Sequence, residues 1–187
     1  MGISSFFRRM TDTSNGGRNL PSVTRWLMSW MGGYNHTKYW HRRGIIIDPS
    51  NRTNVFIKLY YLFWIKRKDS RYHCSFGTSF HRGAQFATPP YLPHGPYGII
   101  VGADAQVGAH CILYHQVTIA GGNVVIGDCT ELGAGAKVLP DVNIGSYCHV
   151  GANAVVVEDM PDYSTCVMQK PRIILKNKKD VKYMTKI

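Results

Sequence analysis

Between Val101 and Val156, ten aliphatic residues stand on a grid of six. They are Val101, Val107, Leu113, Ile119, Ile126, Leu132, Val138, Ile144, Val150 and Val156, with a single step of seven between Ile119 and Ile126. Glycine follows the aliphatic residue at Gly102, Gly108, Gly127, Gly133, Gly145 and Gly151. Ordinary strands would show period-two alternation, with aliphatics at spacings of two and four. A sustained period of six is instead the mark of a parallel β-helix, in which three hexapeptides make one triangular coil of about eighteen residues. The aliphatic side chain points inward and stacks on its equivalents in neighbouring coils. The small residue after it lets the chain turn the corner without a clash.

Phe80, Phe86 and Leu92 continue the grid backwards, and the step from Leu92 to Val101 is nine. The segment Pro93-His94-Gly95-Pro96-Tyr97-Gly98 is therefore expected to bulge from the regular coil, where side chains leave the repeat surface. After Val156 the pattern stops at Asp159-Met160-Pro161, and residues 165–174 read as a closing strand. Upstream, Val23, Trp26, Leu27, Trp30 and Met31 fall at helical spacing, which predicts a short amphipathic helix over 22–31 after a loose arm over 1–19. A second apolar stretch covers 55–65, with Asn54 ahead of it and Lys66-Arg67-Lys68 behind. Eleven residues are too few to span a bilayer, which needs about twenty. Two readings stand: a helix packed on the β-helix or on a neighbouring subunit, or a membrane-surface helix beside a basic cluster. The expected organisation is mainly β. A basic, mainly helical segment covers 1–73, a β-helix domain 74–175 and a basic tail 176–187.

Charge sharpens this division. The chain carries a net +11. Residues 1–75 hold 13 Lys/Arg against 3 Asp/Glu, residues 76–169 hold 2 against 7, and residues 170–187 hold 7 against 1. A mildly acidic body between two basic ends excludes a continuous basic face for duplex nucleic acid. The ends suit the phosphates of a cofactor or an anionic membrane surface. The five cysteines include no metal-type CxxC, and buried thiols in a reducing compartment account for them. Phe6 and Phe7 run at once into Arg8 and Arg9, so no apolar signal-peptide core is read there. A cytoplasmic location is expected, with peripheral contact at the inner face of the plasma membrane open to the basic N-terminal segment.

Of the eight histidines, His94 stands apart because it occupies the interruption. Pro93 and Pro96 restrict the backbone around it, and Gly95 and Gly98 leave space beside it. A histidine fixed near neutral pKa at such a bulge can act as a general base on a hydroxyl; a structural histidine is the alternative.

The runs Leu92-Pro93-His94-Gly95-Pro96-Tyr97-Gly98-Ile99-Ile100-Val101-Gly102 and Gln116-Val117-Thr118-Ile119-Ala120-Gly121-Gly122 resemble the serine acetyltransferases. They are more similar still to the O-acetyltransferases of bacterial capsule, exopolysaccharide and O-antigen synthesis. The resemblance covers about residues 74–175 and implies a left-handed coil, an exception to the usual right-handed crossover. It implies that His94 takes the proton from an acceptor hydroxyl as that hydroxyl attacks the thioester of acetyl-CoA, with direct transfer and backbone N–H groups at the oxyanion. It places Gly121, Ala134 and Ala152 along the pantetheine arm and Lys170 and Arg172 near the coenzyme phosphates. It implies a homotrimer with sites between subunits, and no metal.

The departures from that pattern shape the expected acceptor. Serine acetyltransferases carry an acidic residue fifteen positions before the histidine, and Ser79 stands there in this chain. A serine can orient the ring but cannot stabilise imidazolium as a carboxylate does. His81 matches a family histidine nearby and is a second-shell candidate. The acidic residue just before the histidine is Pro93 here, and the long Gly-rich loop with Arg-His is missing. These absences set the expectation that the acceptor is a sugar hydroxyl in surface-polysaccharide synthesis, with serine as the alternative. Two further classes are weighed. His110 and His115 have the spacing of the zinc pair in hexapeptide carbonic anhydrases, but Ala109 puts them one residue out of phase. A non-catalytic scaffold of the same fold is the other.

Overall fold

The computed structural model describes residues 33–170. The arm over 1–19, the helix expected over 22–31, Arg172 and the basic tail lie outside the described residues. Within them, two helices precede thirteen two-residue strands: α1 (His36–Ile47) and α2 (Val55–Tyr72), then the strands. The strands form three parallel sheets, the three sides of a β-helix, each side taking every third strand. The first holds β1 (Ser75–Phe76), β3 (Ile100–Val101), β6 (Thr118–Ile119), β9 (Lys137–Val138) and β12 (Val155–Val156). The second holds β2 (Gln85–Phe86), β4 (Gln106–Val107), β7 (Val125–Ile126) and β10 (Asn143–Ile144). The third holds β5 (Ile112–Leu113), β8 (Glu131–Leu132), β11 (His149–Val150) and β13 (Thr165–Cys166). The fold is the mainly β, left-handed parallel β-helix expected, with a helical segment before it.

Register carries the grid into space. Phe76, Val101, Ile119, Val138 and Val156 pair in one column. Phe86, Val107, Ile126 and Ile144 form the second, and Leu113, Leu132, Val150 and Cys166 the third. A second inner position lies two residues earlier in each repeat. Ile99, Ala105, Cys111, Val117, Val124, Thr130, Ala136, Val142, Cys148 and Ala154 are all buried there. On the third side this position is polar, and each group finds a carbonyl of the next coil. Cys111 Sγ donates to Gly127 O at 3.2 Å, Thr130 Oγ1 to Gly145 O at 2.8 Å, and Cys148 Sγ to Pro161 O at 3.1 Å. Cys111 and Thr130 thus pair corner carbonyls that a purely apolar column would not reach, while Pro161 O also accepts from Ser164 Oγ.

Most corners pass through the left-handed backbone region, and many do so without glycine. His110, Cys129, Tyr147 and Tyr163 hold φ between 55° and 58° along one corner. Tyr147 and Tyr163 stack there, centroids 5.0 Å apart and planes 1° off parallel, which offsets part of the steric cost of that conformation. Where the chain turns outward after β3, glycine is required for a different reason: a Cβ on Gly102 would overlap the Gly121 backbone of the next coil.

Two expectations are corrected. Phe80 does not sit in the first column; it is 36% exposed and stacks on His81, centroids 4.2 Å apart. Phe76 fills the column, so the step to Phe86 is ten, and the loop 77–84 closes on itself through the Ser79 and Arg82 backbones. The apolar stretch at 55–65 does not end its helix before the basic cluster. Lys and Arg are good helix formers, and α2 runs on to Tyr72, capped by Asn54 at its start and His73 (φ 49°) at its end. The face α2 turns inward carries Lys58, Ile65, Asp69 and Tyr72, while Val55, Phe56, Ile57, Leu59, Tyr60 and Phe63 are exposed.

The helices close the first coil of the β-helix. Arg43, 2% exposed, donates from Nη2 to Phe76 O at 2.9 Å and to Ala84 O at 2.5 Å, and from Nε to Thr78 Oγ1 at 3.1 Å. Its guanidinium lies over the Trp40 and Phe86 rings, and burial lowers its pKa to about 10. Lys66 Nζ donates to Thr78 O at 2.6 Å. Carbonyls on the outer edge of the first coil are therefore satisfied by side chains rather than by another strand, which ends the solenoid. Tyr39 Oη donates to the buried Asp69 at 2.6 Å, and burial raises the Asp69 carboxyl above its usual range.

Candidate active site

The bulge at 93–98 leaves the regular coil as its nine-residue step predicts. Gly95 (φ +71°) and Gly98 (φ +67°) supply the left-handed turns, and Gly95 N–H bonds Leu92 O at 3.1 Å. The far end is tied down by Gly98 N–H to Tyr72 O at 3.0 Å and Gln116 N–H to Tyr97 O at 2.9 Å. Tyr97 also meets Tyr72 edge-on, centroids 4.9 Å apart. His94 is held on an exposed turn whose two ends are fixed, one by its own coil and one by α2 and the coil below.

His94 stands at the head of one corner. Two residues after the column positions Leu92, Leu113, Leu132 and Val150 come His94, His115, Ala134 and Ala152. The corner stacks by backbone bonds from Gly135 N–H to His115 O (3.0 Å) and from Asn153 N–H to Ala134 O (2.8 Å). Below the two histidines the corner is therefore small-sided. The His94 and His115 rings meet edge to face, centroids 5.2 Å apart, and His115 Nδ1 is buried without a hydrogen-bond partner. Tyr114 also faces His94, centroids 5.7 Å apart. Burial, and then the hydrogen-bonded Glu131 carboxylate, raise the Tyr114 phenol. Glu131 Oε2 reaches His149 Nδ1 at 3.3 Å, so the outer face of the third side carries Tyr114, Glu131 and His149 in line beneath the bulge.

The other expected residues fall elsewhere in the single chain. Gly121 lies at a different corner, between β6 and β7. There Asp104 accepts Gly122 N–H at 2.8 Å and Asn123 N–H at 3.4 Å, and these backbone donors hold its carboxyl below the usual range. Ser79 is exposed in the loop paired with Arg82. His81 lies against Lys58, Nε2 to Nζ 3.3 Å, at the junction with the helices. Within one chain neither is brought to His94. Lys170 is exposed at the end of the described residues. His110 and His115 sit at opposite ends of the β5 side, one at each corner. The rings that meet His94, those of Tyr114 and His115, were not tied to it from the sequence. The signal for His115 was present: it holds the same offset from its column residue as His94.

Residues 123–157 match the family model described as bacterial transferase hexapeptide (six repeats). The chain is 34% identical over 109 residues to the serine acetyltransferase of Helicobacter pylori, covering 54% of this chain and 63% of that protein. It is 37% identical over 98 residues to the serine acetyltransferase of Mycobacterium tuberculosis, covering 49% and 42%. The solved structure of serine acetyltransferase isoform 3 from Entamoeba histolytica in complex with cysteine superposes with a TM-score of 0.52 at 27% identity, over 65% of this chain and 45% of that one. The chain spans less than two thirds of the length of these relatives. It is a hexapeptide-repeat chain that resembles the serine acetyltransferases. That likeness overturns the expected sugar acceptor and its place in polysaccharide synthesis. The expectation rested on groups the chain lacks, and a missing group does not specify a different acceptor.

Proposed function

We propose that the chain transfers an acetyl group from acetyl-CoA to the hydroxyl of a small amino-acid acceptor, serine being the acceptor that the relatives' names supply. The observation that carries this reading is His94 on its fixed bulge at the head of a small-sided corner. Acetyl-CoA fits that corner: Ala134 and Ala152 present no bulk, so a thin thioester arm can lie against the main chain. The coenzyme supplies an acyl group activated as a thioester. His94 removes the acceptor proton as the hydroxyl oxygen bonds to the acyl carbon, and it returns the proton to the departing thiolate. The His115 ring, perpendicular to that of His94, limits the rotation of the base. Tyr114 links the same edge of the site to Glu131, the carboxylate on this face where Ser79 offers none.

Assembly as a homotrimer is part of the reading: Gly121 and His94 occupy different corners of one chain, so a site that uses both would form between subunits. Five free thiols suit the reducing cytoplasm, where acetyl-CoA is formed. The test is turnover of acetyl-CoA with L-serine, followed by thiol release. His94→Ala is expected to lower kcat by about 10²–10⁴-fold with an unchanged melting temperature. A folded His94→Ala protein that keeps full transfer ends this mechanism, and a wild-type protein that transfers nothing to serine ends the acceptor assignment.

A further inference from the structure

Among the described residues, the outward face of α2 has no partner. Val55, Phe56, Leu59, Tyr60 and Phe63 share one arc at helical spacing, opposite the inward Lys58, Ile65, Asp69 and Tyr72. Phe56 is 76% exposed and Phe63 59%. A soluble surface rarely leaves so contiguous an apolar arc uncovered. One turn further on, the same arc turns basic with Lys66, Arg67 and Arg71. Residues 33–73 hold nine Lys/Arg against Asp48 and Asp69; with the buried Arg43, Lys58 and Asp69 set aside, seven cations face one carboxylate.

A cleft between α1 and α2 borders this face. Lys38, Arg42, Tyr60, Trp64 and Lys68 line it. Trp64 Nε1 is a buried donor with no acceptor. Lys68 Nζ reaches Gly33 O at 3.2 Å, and burial, then the nearby Arg71, Arg67 and Arg42 charges, push its ammonium below the usual pKa. The cleft therefore gathers Lys38, Arg42 and Lys68 beside the apolar arc, a lining that suits a phosphate group.

We propose that this face docks the protein on an anionic lipid bilayer, with the α2 apolar arc in the acyl boundary and headgroup phosphates against the cations. No described helix is long and apolar enough to cross a membrane, so the contact is peripheral. Charge separates this occupant from a second copy of the chain. Two such faces would bring cation against cation with no exposed carboxylate in the patch to pair them, whereas an anionic surface neutralises them. None of the acetyl-transfer residues takes part.

The full-length chain is sedimented with vesicles of phosphatidylcholine alone or mixed with phosphatidylglycerol. Binding is expected to the mixed vesicles at low salt and to weaken at about 1 M salt, where the Debye length is about 3 Å. Arg67→Glu with Arg71→Glu is expected to lower the partition coefficient by roughly thirtyfold or more, at about fivefold per cation lost near the surface. Phe56→Ser with Phe63→Ser is expected to lower it by at least roughly tenfold per ring. No binding to anionic vesicles overturns the proposal, as does binding that neither double variant changes. A Phe56/Phe63 variant that alters the oligomeric state by light scattering while leaving vesicle binding intact assigns the face to a second copy instead.

Discussion

In the β-helix body, Ile119 lies in register between Val101 and Val138, and the same contact recurs along the column. At the N-terminal end, Arg43 lies against Trp40 and Phe86 and holds backbone carbonyls that no strand reaches. The body is stabilised by many equivalent apolar contacts, none of them special. The cap is stabilised by a few buried polar groups, each with a particular partner: Arg43 with Phe76 O, Lys58 with Asn51 O, Tyr39 with Asp69. A repeating core loses a similar amount at any level because each level packs like the next. A polar cap does not, because each side chain serves an edge that has no second copy.

The largest effect tests the body. Leu132 is fully buried in the third column. Leu132→Ala is expected to cost about 2–5 kcal/mol, the range for emptying a buried leucine site, read as a lower urea midpoint. Leu113→Ala, one coil above, is expected to cost a similar amount. A large disparity between the two would show that the levels are not equivalent. The cap comes next. Arg43→Met keeps the apolar stem against Trp40 and Phe86 but leaves two buried carbonyls unpaired. At about 1–3 kcal/mol for each such group, the two give about 2–6 kcal/mol; a loss in the lower half of that range, below the leucine sites, is expected, with strand content by circular dichroism retained. A loss no greater than that of an exposed Arg→Met change would remove the distinction between cap and body.

A smaller effect belongs to the polar stretch inside the body. Thr130→Val preserves shape but removes the donor to Gly145 O and the acceptor for Cys148 N–H. A cost of about 1–2 kcal/mol is expected, read from the urea midpoint and near that of one or two buried hydrogen bonds.

The same contrast explains what could be read in advance. The columns from Val101 to Val156 were legible because a period of six is a one-dimensional pattern that survives folding unchanged. The start of the helix was misread at Phe80, because a loop of unknown length lets either Phe76 or Phe80 satisfy the pattern, and backbone pairing chose Phe76. The direction of α2 was illegible: its buried face carries Lys58 and Asp69, whose burial depends on Asn51 O and Tyr39, contacts that no spacing reveals. His94 was legible as a break in the grid. Tyr114 and Glu131 were not, since one follows β5 and the other faces outward on β8, where the repeat leaves residue type free.

The mildest prediction concerns the corner that holds Gly121, where regular body meets inserted residue. Ile119 to Ile126 is the seven-residue step, and the extra residue places Gly122 (φ +89°) and Asn123 (φ +58°) in consecutive left-handed turns. Asp104, on the coil above, accepts both of their N–H groups. Those bonds favour the ionised carboxylate and hold its pKa below the ordinary value. The sign follows by linkage. A carboxyl with a depressed folded pKa adds stability above its unfolded value of about 3.9, and that contribution fades as pH falls through the folded pKa. The effect is local because Asp104 is at the surface. Amide exchange at Gly122 and Asn123 is therefore expected to lose protection selectively below about pH 4, before the columns open. Asp104→Asn should weaken that protection at neutral pH and flatten its acid dependence. If Gly122 exchanges alike in wild type and variant across that range, the inserted residue is held by the strands on either side, and the corner belongs to the body after all.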